Sequence, residues 1–441
     1  MIKRNIYKHL LAWKEQKKHK PLIMRGARQT GKTYIVKQLG ATFTNFVAIN
    51  CEANGIVKKI FAQDLSIPRI MRDLALFTEQ KIIPGKTLLF FDEVQEIPEV
   101  LKALRYFYEE LPELHVIVAG SLLDFVLENI GIAVGRVSFL YLYPVSFLEF
   151  LNMTHPTLAE EVLRHKVEEP LAEPIHHKLL QYLAIYFAVG GLPEALQYWI
   201  DTQDLVACNK IHHELINSYR QDFQKYAKKH QIKYIDLMFD RVPLFHGKTF
   251  KYSNISSDYR KRELMPALEL LVKAQVISLI KCSAGNGVPL GAEVNLNRFK
   301  AIFLDIALAQ AVLGLNTKEW ILNMQENFIN QGAVIEAFVG QELLAYSDPN
   351  VKANLYYWQR EAHGSNAEID YMIEKDKVIP IEVKSGTTGT LRSLHMFLQS
   401  KNAPYGIRFS THNYSHHERI YSYPLYAIAK AVGVGSAIAE E

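Results

Sequence analysis

The sequence predicts an α/β protein of several domains: a parallel-sheet domain first, a helical middle with a winged-helix-like module, and a second α/β unit last. Three observations predict it. Between residues 20 and 145, short apolar runs alternate with helical stretches, the pattern of strands linked by crossover helices. The first of these runs is followed by a glycine-rich loop that ends in Lys32-Thr33 and opens a helix. From about residue 330 the order is helix, three strands, helix, with carboxylates on the strands.

The elements follow in order. Segments 22–24, 46–49, 87–91, 115–119 and 137–141 are rich in β-branched and aromatic residues, as strands buried on both faces are. Helical stretches separate them, one of them at 100–111. From 146 to 245 the chain is mainly helical, punctuated by Gly190-Gly191-Leu192-Pro193. It is locally basic at Arg220, Lys225, Lys228, Lys229 and Lys233. Over 262–274, Leu264, Leu268, Leu271 and Val272 share roughly one helical face. A strand at 276–281, a turn over Ser283-Ala284-Gly285-Asn286-Gly287 and a returning strand at 292–296 complete the outline of a winged helix. The final unit reads as a helix at 333–345, strands at 355–358, 368–373 and 378–383, and a helix at 391–398. The expected domains are 1–150, 151–245, 246–325 and 326–441.

Composition narrows the class. The chain has 441 residues, 49% hydrophobic and 22% charged, as a globular protein does. Lys and Arg number 50 against 46 Asp and Glu, a formal charge of +4 that permits nucleic-acid contact without demanding it. Cys51, Cys208 and Cys282 are far apart and form no C-x-x-C, which argues against a zinc knuckle or disulfide framework and for a reducing compartment. No leader is legible, because after the basic start Met1-Ile2-Lys3-Arg4, Lys8, Lys14, Lys17 and Lys18 soon interrupt any apolar run. A membrane span needs about 20 apolar residues. The apolar stretches at 137–151 and 425–439 fall short or carry Glu149 and Lys430. A cytoplasmic location and no membrane partner are expected.

Gly26-Ala27-Arg28-Gln29-Thr30-Gly31-Lys32-Thr33 fits G-x-x-x-x-G-K-[ST], and Tyr34 continues into the helix. Glycines let the backbone turn its N–H groups toward an anion, and the helix N-terminus adds positive potential. The spacing assigns Lys32 to the β- and γ-phosphates of ATP and the Thr33 hydroxyl to Mg²⁺. Leu88-Leu89-Phe90-Phe91-Asp92-Glu93 is an apolar strand ending in two acids. Asp92 is assigned to Mg²⁺ through water, and Glu93 to the attacking water as general base. A strand at 46–49 between the motif strands, and one at 115–119 after them, point to ATPases with an inserted strand and a catalytic Glu. Ser121, after 115–119, either holds the lytic water or γ-phosphate or caps the next helix. Arg136 is either an arginine reaching the γ-phosphate or a surface ion pair.

These motifs, with Val94-Gln95, Ala119-Gly120-Ser121-Leu122-Leu123 and Gly135-Arg136-Val137, closely resemble a family of prokaryotic AAA-type ATPases that carry a C-terminal domain of unknown function. Leu142-Tyr143-Pro144-Val145-Ser146-Phe147-Leu148-Glu149-Phe150, Gly190-Gly191-Leu192-Pro193 and Ile379-Pro380-Ile381-Glu382-Val383-Lys384 match it too, so the resemblance runs through nearly the whole chain. It implies ATP binding, ATP hydrolysis, a winged-helix-like module in a helical middle, and a C-terminal domain similar to PD-(D/E)xK nucleases. It supplies no physiological task.

Near the C-terminus, Glu368-Ile369-Asp370 and Glu382-Val383-Lys384 lie on successive strands, and alternation puts each set of charged side chains on one side. Such a hairpin is how one nuclease superfold binds Mg²⁺ and activates water, with an upstream helical acid, here Glu336, as third ligand. Paired carboxylates need a cation between them, and no cationic partner but Lys384 is evident in sequence, so Mg²⁺ or Mn²⁺ is expected at Glu336, Asp370, Glu382 and Lys384. The opposing reading is an edge hairpin with a solvated charged face.

Other signals are weaker. Gly285-Asn286-Gly287 opens no helix and reads as a wing turn. His176-His177, His212-His213 and His416-His417 lack zinc spacing, and surface or cap roles are expected. Arg260-Lys261-Arg262 is a candidate contact to DNA phosphates or a solvated helix start. Two functional readings stand: an ATPase acting on DNA with a nuclease-like C-terminal region, and a non-catalytic ATP-switched regulator or scaffold whose C-terminal fold is a degenerate binding module. A metabolic kinase is weaker, since no substrate lid is apparent. Assembly into a ring is open.

Overall fold

The computed structural model describes residues 2–121, 123–131, 135–360, 367–386 and 391–434, without the side chains of 128–130 and 226. Leu122, within the expected Ala119 to Leu123 motif, lies outside the described residues, as does the end of the 425–439 stretch. The chain forms two compact units, Lys3–Tyr143 with Asp348–Ala353, and Pro144–Ser347 with Asn354 onward. Among the described residues, no helix is long and apolar enough to cross a membrane.

The first unit is built on five strands: β1 (Leu22–Arg25), β2 (Asn45–Asn50), β3 (Thr87–Asp92), β4 (His115–Ala119) and β5 (Ser138–Tyr141). Their order is β2-β3-β4-β1-β5, and every pairing is parallel. The strand inserted between β1 and β3 is therefore β4. Side-chain alternation feeds two cores. Ile23, Val47, Ile49, Leu89, Phe91, Val116 and Val118 enter one. Leu22, Met24, Leu88, Phe90, Ile117, Ala119 and Leu140 enter the other. Strands buried on both faces cannot alternate apolar with polar, which is why they read as unbroken apolar runs.

The second unit begins in helices and ends in an eight-stranded mixed sheet. Its strands are β6 (Ile277–Ser283), β7 (Val294–Phe303), β8 (Leu355–Gln359), β9 (Glu368–Glu374), β10 (Val378–Val383), β11 (Gly406–Ser410), β12 (Ser415–His417) and β13 (Ile420–Pro424). The order is β12-β13-β11-β10-β9-β8-β6-β7. Here the structure corrects the expected wing. β6 and β7 form an antiparallel hairpin, but β6 also pairs in parallel with β8 through Ile280 and Leu355, so the hairpin is the outer part of this sheet. β7 also runs through Phe303, well beyond the expected 292–296. Residues 151–245, 246–325 and 326–441, expected as separate domains, accordingly pack as one unit. One sheet face carries the helix Arg392–Ser400, whose Leu394, Phe397 and Leu398 pack with Trp358, Ile369, Met372 and Val378.

Buried carboxylates fix the backbone where the helical part begins. The helix Phe147–Thr154 opens with a Ser146/Glu149 capping box. Its Phe147 N–H also donates to Glu342 on the helix Gly332–Ala345, at 3.0 Å. The Glu342 carboxyl is pushed up to about 8, chiefly by burial. Asp305 is fully buried and accepts from Leu308 N at 2.9 Å and Gly191 N at 2.7 Å. Gly190 ends the helix Glu173–Val189 at φ +76°, and Gly191 accepts Val145 N at 2.8 Å. Two of the paired histidines are corrected as well. His176 is buried between the Tyr426 hydroxyl (2.8 Å) and the Thr411 carbonyl (3.0 Å), and His212 is buried against the Val189 carbonyl (2.9 Å). Both are core groups, His176 bonded through both ring nitrogens and His212 through Nε2 alone; His177, His213, His416 and His417 are exposed.

A Cβ at Gly191 would collide with the Val145 carbonyl and the Tyr186 hydroxyl. Gly191→Ala should therefore lower the thermal midpoint of this unit by about 4 °C or more, the scale of a core overpacking, as differential scanning calorimetry would measure.

Candidate nucleotide site and carboxylate cluster

The loop after β1 is shaped by two left-handed residues, Gln29 at φ +64° and Gly31 at φ +94°, the latter preceding the helix Lys32–Gly40. Gly26 has no room for a side chain, since a Cβ would lie 2.5 Å from the Leu142 carbonyl oxygen. Thr30 is buried and donates to the Ala27 carbonyl at 2.9 Å. Arg4 braces the loop from outside, donating to the Thr30 carbonyl at 3.2 Å and the Tyr143 carbonyl at 2.7 Å. Arg28 is half-buried, while Gln29 and Tyr34 are exposed.

Lys32 folds back over the loop, donating to the Gly26 and Ala27 carbonyls at 2.9 and 2.8 Å. Burial pulls its ammonium down to about 8, against the attraction of Glu93 and Asp92. Thr33 Oγ1 donates to Asp92 Oδ2 at 2.7 Å. The loop after β1 and the acids ending β3 thus meet across the end of β4, as carboxyl ends of one parallel sheet allow. Glu93 sits in the left-handed region at φ +49°, unusual for a residue with a side chain. Its N–H donates to Asp92 Oδ1 at 3.1 Å, and its Oε2 accepts from Gln95 Nε2 at 2.6 Å.

Gln95 is the residue that sequence reasoning left without a role. Its Oε1 is buried without a hydrogen-bond partner, and it fills the space a side chain at Gly120 would need. It therefore touches both Glu93 and the end of β4. Its signals in the sequence are its place two residues after the acid pair and its inclusion in the motif that carries the family resemblance. Ser121 is buried just beyond β4. Arg136 stands apart, exposed and ion-paired to Glu109 at 3.0 Å.

In the second unit, Glu336, Asp370, Glu382 and Lys384 come near one another, but with two further members. Lys300 on β7, its side chain wholly buried, places Nζ 2.8 Å from Glu336 Oε1 and 2.5 Å from Glu368 Oε1. It also lies 5.2 Å from the centre of the Tyr357 ring. Burial alone would lower its pKa, but Glu336, Asp370 and Glu368 together hold it above the usual lysine value. Lys384 Nζ lies 2.5 Å from Glu382 Oε1, while Glu382 Oε2 is buried without a hydrogen-bond partner. Asp370 Oδ2 accepts Val383 N at 2.7 Å. Its carboxyl is pushed well up by burial and then by Glu336 and Glu382. Between Tyr356 and Trp358 the β8–β9 register shifts, setting Asp370 and Tyr371 against the single residue Tyr357. The expectation that Lys384 is the sole cation nearby is corrected. Lys300 escaped notice because the strand carrying it was read as ending at 296. Among the described residues, no group of three or more His, Cys, Asp or Glu side chains is arranged to hold a metal ion.

Comparison with known proteins follows the same division. Residues 18–151 match the family model described as an AAA domain. Residues 180–319 and 331–428 match two domains of unknown function. No curated protein matches the chain. Among solved structures, a Walker-type ATPase of Pyrococcus abyssi is similar over 71% of this chain and 96% of its own, at 16% identity and a TM-score of 0.46. The ORC1 protein of Aeropyrum pernix in complex with DNA matches over 70% of this chain and 90% of its own, at 14% identity and a TM-score of 0.29. Likeness at these scores carries no functional argument. The loop motif, the sheet order and the family match agree with one another: the segment 18–151 is an AAA-type P-loop domain.

Proposed function

We propose that the protein is a Mg²⁺-dependent ATPase whose nucleotide state acts on a region that contacts DNA. The observation that carries this reading is the 2.7 Å hydrogen bond between Thr33 and Asp92, with Lys32 in the same loop and Glu93 next in chain. These groups fit a magnesium nucleotide: a hydroxyl and a carboxylate share one point, beside an ammonium held only by carbonyls. Gly26 to Tyr34 would cradle the phosphates through backbone N–H groups. Thr33 and Asp92 would hold Mg²⁺, which neutralises phosphate charge when bound. Lys32 would exchange its two carbonyl partners for phosphate oxygens. Glu93 would take the proton of the attacking water, with Gln95 orienting its carboxylate and Ser121 close to the same sheet edge.

DNA contact is supported by basic side chains that the fold gathers. The helices Lys229–Arg241 and Lys261–Lys273 pack together. Lys228, Lys229, Lys233, Arg260, Lys261 and Arg262 are exposed around them. A second reading also has its own observation. Lys300 inside the carboxylate cluster favours a C-terminal region that keeps a nuclease-like fold as a binding module, under a nucleotide-switched regulator. Steady-state ATP turnover with and without double-stranded DNA separates the two. A DNA-stimulated rate that falls at high salt supports the ATPase; tight ATP binding without turnover supports the regulator.

Two outcomes follow from the site itself. Glu93→Gln keeps the shape and cannot accept a proton, so ATP affinity should persist while turnover drops about 10²-fold or more. Unchanged turnover would mean that another group activates the water. The second outcome is a pH effect. In the free protein Lys32 loses its charge above a pH of about 8, and bound phosphate favours the charged form. ATP affinity should thus be full below that pH and weaken above it, by up to about tenfold per pH unit, in titrations with a fluorescent ATP analogue.

A further inference from the structure

The nuclease-like reading implies a divalent metal ion among Glu336, Asp370 and Glu382, and the side chains around them do not fit one. We infer that Lys300 is the resident cation of this cluster, and that the cluster takes up no divalent metal while that side chain is in place. Its ammonium already pairs with Glu336, one of the three acids a metal would use, at 2.8 Å, and with Glu368 at 2.5 Å, on a side chain with no solvent exposure. The second oxygen of Glu336 is enclosed as well: a Cβ at Gly247, where φ is +71°, would lie 2.7 Å from Glu336 Oε2. Glu382 is paired through one oxygen to a second ammonium, Lys384. A metal entering here would face two fixed positive charges in a medium that screens them poorly.

The source of Lys300 gives the idea its structural sense. It comes from β7, outside the 331–428 segment that supplies the carboxylates, and the mixed sheet brings it to them. A hairpin joined to the sheet edge therefore supplies the charge a metal would otherwise bring. Glu382 Oε2, buried without a hydrogen-bond partner, is a donor atom that a metal could use if Lys300 were absent. The inference stands independently of the nucleotide site and is tested without nucleotide.

The test is Mn²⁺ titration of the nucleotide-free full chain, with free Mn²⁺ read by electron paramagnetic resonance. Wild type and Asp370→Asn should bind the same amount. Lys300→Met should lose thermal stability, on the order of 10 °C, because it strands buried carboxylates. It should also gain one bound Mn²⁺ that restores much of that loss, and Lys300→Met/Asp370→Asn should lose the gain. Wild-type uptake exceeding that of Asp370→Asn would overturn the inference, as would a folded Lys300→Met chain that gains no Mn²⁺. Should Lys300→Met not fold, the wild-type and Asp370→Asn comparison decides alone.

Discussion

The hydrogen bond from Thr33 to Asp92 joins segments 59 residues apart, and the first unit is arranged so that it forms. Thr33 lies in the first turn of the helix that follows the β1 loop, Asp92 ends β3, and β4 alone separates β1 from β3. That spacing lets the helix after the glycine loop reach the acid pair across the end of β4. Had β3 stood next to β1, the acids would crowd the loop; two strands between them would put them out of reach. The two cores behind the sheet hold this spacing, since nearly every residue of β3 and β4 is buried. Gln29 and Glu93, at the same edge, both hold left-handed conformations.

The second unit depends on polar groups that are buried and then given partners. Glu342 caps a helix, Asp305 binds the Gly190-Gly191 turn, and Lys300 answers Glu336 and Glu368. A buried carboxylate that accepts backbone N–H groups specifies one geometry, because every alternative leaves a polar group unsatisfied. The segments 142–150 and 190–193 acquire a role from this. At Ser146 to Glu149 and at Gly190-Gly191 they are joints where backbone N–H groups meet buried acids.

How much of this was legible in the sequence depended on the range of the interaction. The P-loop was legible in full, because Gly26 to Thr33 is a local motif whose chemistry is set by its own backbone. The acid pair was legible because an apolar strand ended in it. Lys300 was not, since its meaning lies in a pairing of β6 with β8 that spans distant residues and that no local pattern encodes. The same holds for the wing, where helix, strand, turn and strand read correctly one by one but not in their partners. His176 and His212 were misplaced for a related reason. A histidine satisfied by a distant hydroxyl or carbonyl looks, in sequence, like any polar residue on a helix.

Lys32, in the loop after β1, is the proposed phosphate-binding cation. The most direct measurement is equilibrium titration of a fluorescent ATP analogue, with Mg²⁺, against wild type and Lys32→Ala at neutral pH. Removing a charged hydrogen-bond donor should weaken binding by at least about tenfold while the fold is retained. Equal affinity in the two proteins would contradict it, because nucleotide would then be held somewhere other than the loop after β1.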